Sequence, residues 1–424
     1  MNKTLKPGWS YKKLDELGFV GRGKSKHRPR NDPSLYGGKY PFIQTGEVKA
    51  ADLYISKYTK TYNEKGLAQS KLWEPGTLLL TIAANIADTA ILRIKACFPD
   101  SIVGFIADPG KADVRFVKYY IDTIKLHMQS ISRGTTQDNL SLEKIQSLDF
   151  KTPPLPTQRK IAAILSAYDD LIENNTRRIE ILEEMARSIY REWFVKFRFP
   201  GHEQVQMVDS ELGLIPEGWE VKQLDDIVLE IIDYRGKTPK KLGGDWSESG
   251  ILAISAKNIK QGKLINLDKS NCVDEALYKK WMKSELKQGD ILMTSEAPLG
   301  ELYYLVKHHK FCLSQRVYSI RANPDIIKPP ILFSALYSPL IQEQIYARQS
   351  GTTVLGIRQT ELRKVSVIVP LIELQISAAR MLNNFFNAIE TLQVKNANLR
   401  QTRDLLLPRL ISGEIDVENL DINT

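Results

Sequence analysis

Residues 153–194 read PPLPTQRKIAAILSAYDDLIENNTRRIEILEEMARSIYREWF. After the prolines the stretch carries two seams at seven-residue spacing. One holds Ile161, Tyr168, Asn175, Leu182 and Ile189; the other holds Leu165, Ile172, Ile179, Ala186 and Trp193. That spacing, sustained over about five heptads, is the stripe of a coiled-coil helix. Pro200-Gly201 is expected to stop it. The pattern returns 217 residues later in the same register: Ala378, Phe385, Leu392, Leu399 and Leu406 on one seam, Leu382, Ile389, Asn396, Arg403 and Leu410 on the other. Pro408 and Gly413 weaken or end this second helix. Each helix should run about 60 Å at 1.5 Å per residue. A seam of this kind is not left in water, so the two helices are expected to pair; the competing arrangement packs each on its own globular domain. Asn175 and Asn396 read two ways, as buried register pins or as partner contacts.

Working outward, the whole chain repeats once. Gly8-Trp9 returns as Gly218-Trp219, and Phe42–Thr45 resembles Leu252–Ser255, both at an offset of 210. Gly76–Thr81 returns as Gly289–Thr294 at 213, and Gly134-Thr135-Thr136 as Gly351-Thr352-Thr353 at 217. An offset that grows in small steps describes a duplicated domain with loop insertions; solenoid repeats are far shorter. The expected division is a globular domain at 1–152, a helix at 153–200, a linker at 201–215, a second globular domain at 216–369 and a second helix at 370–424. The globular parts mix short strands (Thr77–Thr81, Ala90–Ile94, Asp290–Met293, Val365–Val369) with helices (Phe116–Gln129, Ile331–Ala347). The expected fold class is therefore α+β: two mixed α/β domains separated by two long helices that form an antiparallel coiled coil. Duplication would give that arrangement a pseudo-two-fold axis, with two similar modules held at a fixed distance, as a bipartite duplex site requires.

Charge supports an anionic partner. The chain carries a net +9 with pI ≈ 9.1. Residues 1–152 hold +9 and 216–369 hold +4, while the helices are close to neutral. Anion-binding faces are thus expected on the globular domains, with the first relying more on phosphate contacts. The densest cluster is Arg22, Lys24, Lys26, His27, Arg28 and Arg30, and its counterpart is Tyr234, Arg235, Lys237, Lys240 and Lys241. Such loops lie against phosphates, and Arg also reaches guanine edges. Two Gly-Thr-Thr loops add Arg133, Thr135, Thr136 and Gln137 in one copy and Arg348, Thr352 and Thr353 in the other. They suit close backbone approach to bases as well as they suit a tight turn or helix cap.

Other classes find little support. Cys97, Cys272 and Cys312 are far apart and form no zinc spacing or disulfide framework, which fits a reducing cytoplasm. The N-terminus lacks a signal-peptide stretch, and no 18-residue apolar run suggests a membrane span. Gly18–Ser25 matches the GxxxxGK[ST] phosphate loop letter for letter, which raises the alternative of a self-sufficient NTPase or nuclease. Pro29 and Pro33 oppose the helix that such a loop needs, and the second copy keeps only Arg235-Gly236-Lys237-Thr238, with Ile231 in place of the first glycine. No metal-ligand spacing, nucleophile elbow or GxGxxG fingerprint appears, and no catalytic residue is nominated. A third class is a helical scaffold that binds no DNA.

Pro153–Leu165, Ile189-Tyr-Arg-Glu-Trp-Phe194, Leu406–Glu414 and Tyr234–Pro239 together resemble the specificity subunit of type I restriction–modification systems. The resemblance covers essentially the whole chain and implies a noncatalytic DNA reader. It implies that each target-recognition domain reads half of an asymmetric bipartite site, and that the helices set the spacer and dock modification subunits. The partners implied are double-stranded DNA, methyltransferase subunits using S-adenosylmethionine and restriction subunits using ATP with Mg2+; no cofactor is expected in this chain. Pro370–Gln375 departs from Pro153–Gln158, which puts the likeness of the two docking surfaces in question. Helix pairing and docking are assigned to Ile161, Leu165, Tyr168, Ile172, Ile179, Leu182, Ile189, Trp193, Leu382, Phe385, Ile389, Leu392, Leu399 and Leu406.

Overall fold

The computed structural model describes residues 5–132, 140–351 and 354–422. They form two units: residues 1–176 with 394–424, and residues 177–393. Among the described residues no helix is long and apolar enough to cross a membrane.

In the first unit the central sheet orders its strands Gly18–Arg22, Ile102–Ala107, Leu78–Thr81, Thr89–Leu92 and Tyr54–Ile55. Neighbours are antiparallel except for the last pair. Leu78–Thr81 and Thr89–Leu92 are buried along their whole length, which is why they read as continuous apolar runs. The second unit repeats the sheet as Val228–Asp233, Val317–Ala322, Ile291–Thr294 and Leu302–Tyr304, all antiparallel. Each unit also holds a smaller sheet, built around Tyr36–Phe42 and around Ile251–Ile254. Residues 201–215, read as a linker, include most of an ordered hairpin, Met207–Ser210 with Gly213–Pro216, and Ile215 enters the second unit's core.

The shorter helices break where local chemistry dictates. The single helix expected over Phe116–Gln129 is two, Val114–Thr123 and Lys125–Ser132. Asp113 caps the first, accepting from the Arg115 and Phe116 N–H groups. The helix expected over Ile331–Ala347 is also two, Pro329–Leu336 and Pro339–Ala347. Ser338 is held extended before Pro339, which interrupts the run.

The long helices are Leu155–Tyr190, followed by a π-helical turn at Arg191–Val195, and Ile372–Ile411. Pro408 sits inside the second without ending it; the helix runs on to Ile411 and the chain turns at Gly413, which adopts φ +74°. A Cβ at Gly413 would meet the Trp9 ring at 3.0 Å, so this turn takes glycine for space as well as for conformation. Both helices start on the same joint. Gln158 accepts from the Asp113 N–H and donates to the Lys111 and Pro153 carbonyls. Gln375 accepts from the Lys328 N–H and donates to the Ile326 and Pro370 carbonyls. The departure in sequence before Gln375 therefore leaves its joint intact.

Within each unit the two helices run antiparallel. In the first, Asp169 pairs with Arg403 and Asn175 with Asn396; in the second, Ile179 packs with Ile389 and Leu392, beside Leu182 and Phe386. Ile161, Leu165 and Ile172 are buried in the first unit, and Ile179, Leu382, Ile389 and Leu392 in the second. Tyr168, Leu182, Ile189, Trp193, Phe385, Leu399 and Leu406 are half-buried.

Candidate nucleic-acid interface

The first basic cluster follows the edge strand Gly18–Arg22. Asp100 gathers it: the Arg22 Nε donates to the Asp100 carbonyl at 3.1 Å, Arg30 pairs with its carboxylate, and Arg28 lies 3.7 Å from it. Arg28 also donates to the Ser25 carbonyl at 2.6 Å. His27 meets Asp32 at 2.7 Å. The Ser34 N–H, the Ser34 hydroxyl and His27 together hold the Asp32 carboxyl down at about 2. Lys24 and Lys26 have no ion-pair partner among the described residues, which leaves their charges available to an anion.

This geometry removes the phosphate-loop alternative. Gly18–Arg22 is a β-strand paired with Ile102–Ala107, and the next helical element is only the three-residue 3-10 turn Pro33–Leu35. The Gly23 and Lys24 N–H groups, which a phosphate would need, already donate to the Ile102 and Phe98 carbonyls. Ser25 is buried beside Tyr62. A phosphate cradle requires those N–H groups free and a helix N-terminus behind them.

The second cluster is built differently. Arg235 makes a two-point pair with Asp233 at 2.9 and 2.8 Å, and its guanidinium lies 4.2 Å from the Tyr318 ring centre. Burial opposes its charge, but the Asp233 hydrogen bond raises its pKa above the ordinary value. Lys237 sits 4.3 Å over the Tyr234 ring and donates to the Trp281 carbonyl. Tyr234 accepts from the Ser284 N–H at 2.6 Å. Lys241 donates to the Gly236 carbonyl, while Lys240 is exposed with no ion-pair partner among the described residues. Arg348 caps the Pro339–Ala347 helix and leans on the Gln344 carbonyl. Arg133, Thr135, Thr136 and Gln137 lie outside the described residues, as do Thr352 and Thr353.

Two residues absent from the sequence reading join this face. Glu296 bridges to Gly356 in the segment that follows the second Gly-Thr-Thr loop, and pairs with Arg316 at 3.0 Å. Arg316 holds φ +64°, a backbone state that non-glycine residues rarely adopt and that marks strain worth a function. No periodicity points to it; a lone Gln-Arg between two strands looks like any polar turn.

The chain is a duplicated α+β module with an Arg-Gly-Lys-Ser/Thr loop beside the same sheet edge in each copy and no phosphate cradle at the first loop. The family model for the type I restriction modification DNA specificity domain matches residues 6–184 and again 216–401, and the chain belongs to that family. The MjaIX type I restriction enzyme specificity subunit of Methanocaldococcus jannaschii is 26% identical, over 97% of this chain and 94% of its own. The MjaVIII specificity subunit of the same organism is 25% identical over 91% and 88%. In fold, the S subunit of a type I restriction–modification system from M. genitalium superimposes with a TM-score of 0.62 at 15% identity, covering 97% of each chain.

Proposed function

We infer that this chain is the DNA-specificity subunit of a type I restriction–modification assembly and not an enzyme in its own right. The observation that carries the reading is the specificity-domain model matching twice, over 6–184 and 216–401. Each match includes one copy of the basic loop. The first recognition domain, taken as 1–152, reads one half of an asymmetric bipartite duplex, and the second, 216–369, reads the other. Arg22, Lys24, Lys26, Arg28 and Arg30 serve the first half-site, with Arg133, Thr135, Thr136 and Gln137; Tyr234, Arg235, Lys237, Lys240, Lys241, Arg348, Thr352 and Thr353 serve the second. The helices set the spacer and dock methyltransferase subunits. S-adenosylmethionine belongs to those subunits, and ATP with Mg2+ to the restriction subunits, all in the cytoplasm.

The test is to map methylated positions in host DNA before and after deleting this chain's gene. One bipartite motif should lose methylation. Arg235→Ala should relax a single position in one half only, at about 10- to 100-fold in preference. Lys24→Ala with Lys26→Ala should instead weaken binding to all duplexes and flatten its salt dependence. Unchanged methylation after deletion would overturn the reading.

A further inference from the structure

Two turns of the second unit share their main chain with the first and differ in one pair of side chains. Thr81 lies opposite Ile102 as Thr294 lies opposite Val317, so the sheets align at steps of 213 and 215 residues. Main-chain bonds carry the match into the turns. The Ile82 N–H donates to the Ser101 carbonyl at 3.0 Å, and the Ser295 N–H to the Arg316 carbonyl at 2.9 Å. The Leu140 N–H donates to the Ile82 carbonyl, and the Ile357 N–H to the Ser295 carbonyl, both at 3.0 Å. Ala84 and Ala297, which are equivalent, both hold positive φ. On this common frame the first unit carries Ala83 and Ser101, and the second carries Glu296 and Arg316. A charged pair stands where the first copy has two small side chains.

Arg316 holds φ +64°, which Ser101 does not share. An arginine there is strained and persists only where its surroundings hold it, whereas glycine would adopt the same backbone freely. The side chain so placed is exposed, while Glu296 is half-buried. Glu296 meets the Arg316 Nε at 3.0 Å, and neither terminal nitrogen of Arg316 has a hydrogen-bond partner among the described residues. Arg235, by contrast, gives two nitrogens to Asp233 and rests its plane on Tyr318. The Tyr318 hydroxyl donates to the Ile357 carbonyl at 2.9 Å, and Glu296 bridges to Gly356. Glu296 also acts on the Arg235 charge. The basic loop, the Glu296 turn and the segment after the second Gly-Thr-Thr loop therefore converge on one place.

An open guanidinium fork, steadied at Nε by a carboxylate, matches the O6 and N7 acceptors of guanine in the major groove. A phosphate contact is served by charge alone. Two domains that read different half-sites from one scaffold differ at the positions that touch bases, and this pair is such a difference.

We propose, on the basis of the specificity-subunit reading, that Arg316 reads a guanine in the half-site of the second domain and that Glu296 is its positioning residue. The test assembles the full chain with its modification subunits and offers duplexes of the motif mapped in host DNA, randomised one position at a time; the bound fraction is sequenced. The parent should prefer guanine about 10- to 100-fold at one position, in the same half as the position relaxed by Arg235→Ala. Arg316→Gly and Arg316→Lys should each cut that preference to about twofold or less and leave the other positions unchanged. Glycine suits this backbone, so the Arg316→Gly melting curve should match the parent's; Arg316→Lys, which keeps the charge, carries the test should it not. Glu296→Gln should lower the preference at that position alone, by about two- to fivefold. A guanine preference that survives both Arg316 variants overturns the proposal. So does an equal loss of binding at every position that Arg316→Lys restores, which assigns Arg316 to a phosphate. A parent that prefers no base at any position defeats the specificity-subunit reading itself, and this proposal with it.

Discussion

At seam positions related by 217 residues, the first unit sets Asn175 against Asn396, and the second sets Leu392 beside Ile179. Asn175 donates to Asn396 at 2.9 Å, and Asn396 donates in turn to the Ile172 carbonyl and the Thr176 hydroxyl. About two turns further the first unit has the Asp169–Arg403 pair where the second has Phe386 and Ala186. The basic loops follow the same division. The first is gathered by carboxylates, Asp100 and Asp32; in the second, rings back the Arg235 and Lys237 charges. One duplicated scaffold has been stabilised in two ways. Polar seams fix register at a cost in stability, whereas apolar seams supply burial with looser specification.

The largest effect should come from breaking the first unit's charge cluster. Asp169→Ala leaves the buried Tyr119 phenol without its acceptor and the largely buried Arg403 guanidinium with Asp404 alone, and should cost about 3 kcal/mol. Phe386→Ala, the equivalent change in the second unit, enlarges an existing cavity around a half-buried ring and should cost only about 2 kcal/mol. Hydrogen exchange resolved by unit checks both, since a two-unit chain gives no single unfolding equilibrium. Next, Asn396→Ala should cost about 1–3 kcal/mol by orphaning Asn175. The paired exchange Asn175→Leu with Asn396→Ile, which imports the second unit's residues, should be neutral or stabilising; a loss as large as that of Asn396→Ala would break the comparison. The smallest effect lies in the loops. Asp32 has its pKa lowered from 3.8 to about 2 in the folded chain. Its contribution is therefore complete above about pH 4 and fades as pH falls toward 2. The Ser34 amide signal should titrate near 2, and Asp32→Asn should abolish that titration.

Much of this was legible in the sequence. The seven-residue seams hold Asn175 and Asn396, which bond each other, and Ile179, Ile389 and Leu392, which pack together, because a helix fixes side-chain direction by spacing; Ile161, Leu165 and Trp193 pack in the domain cores instead. The duplication showed through small residues such as Gly8 and Gly218, both at positive φ. Less legible were contacts joining distant segments. Arg403 was read as a seam position, but nothing local ties it to Tyr119, 284 residues earlier in the chain. Asp100 reads as a loop acid until the fold brings Arg22, Arg28 and Arg30 to it.

The glutamine joints have a consequence for how such a chain can vary. Gln158 and Gln375 address only main-chain groups of the recognition domains: one N–H at Asp113 or Lys328 and one carbonyl at Lys111 or Ile326. No side chain of the domain takes part in these bonds. The coupling is indifferent to what letters the domain carries, provided its backbone arrives in the same place. It works as a standard socket, in which the reading surface is free to change its alphabet while the thread of the helix stays cut to one gauge.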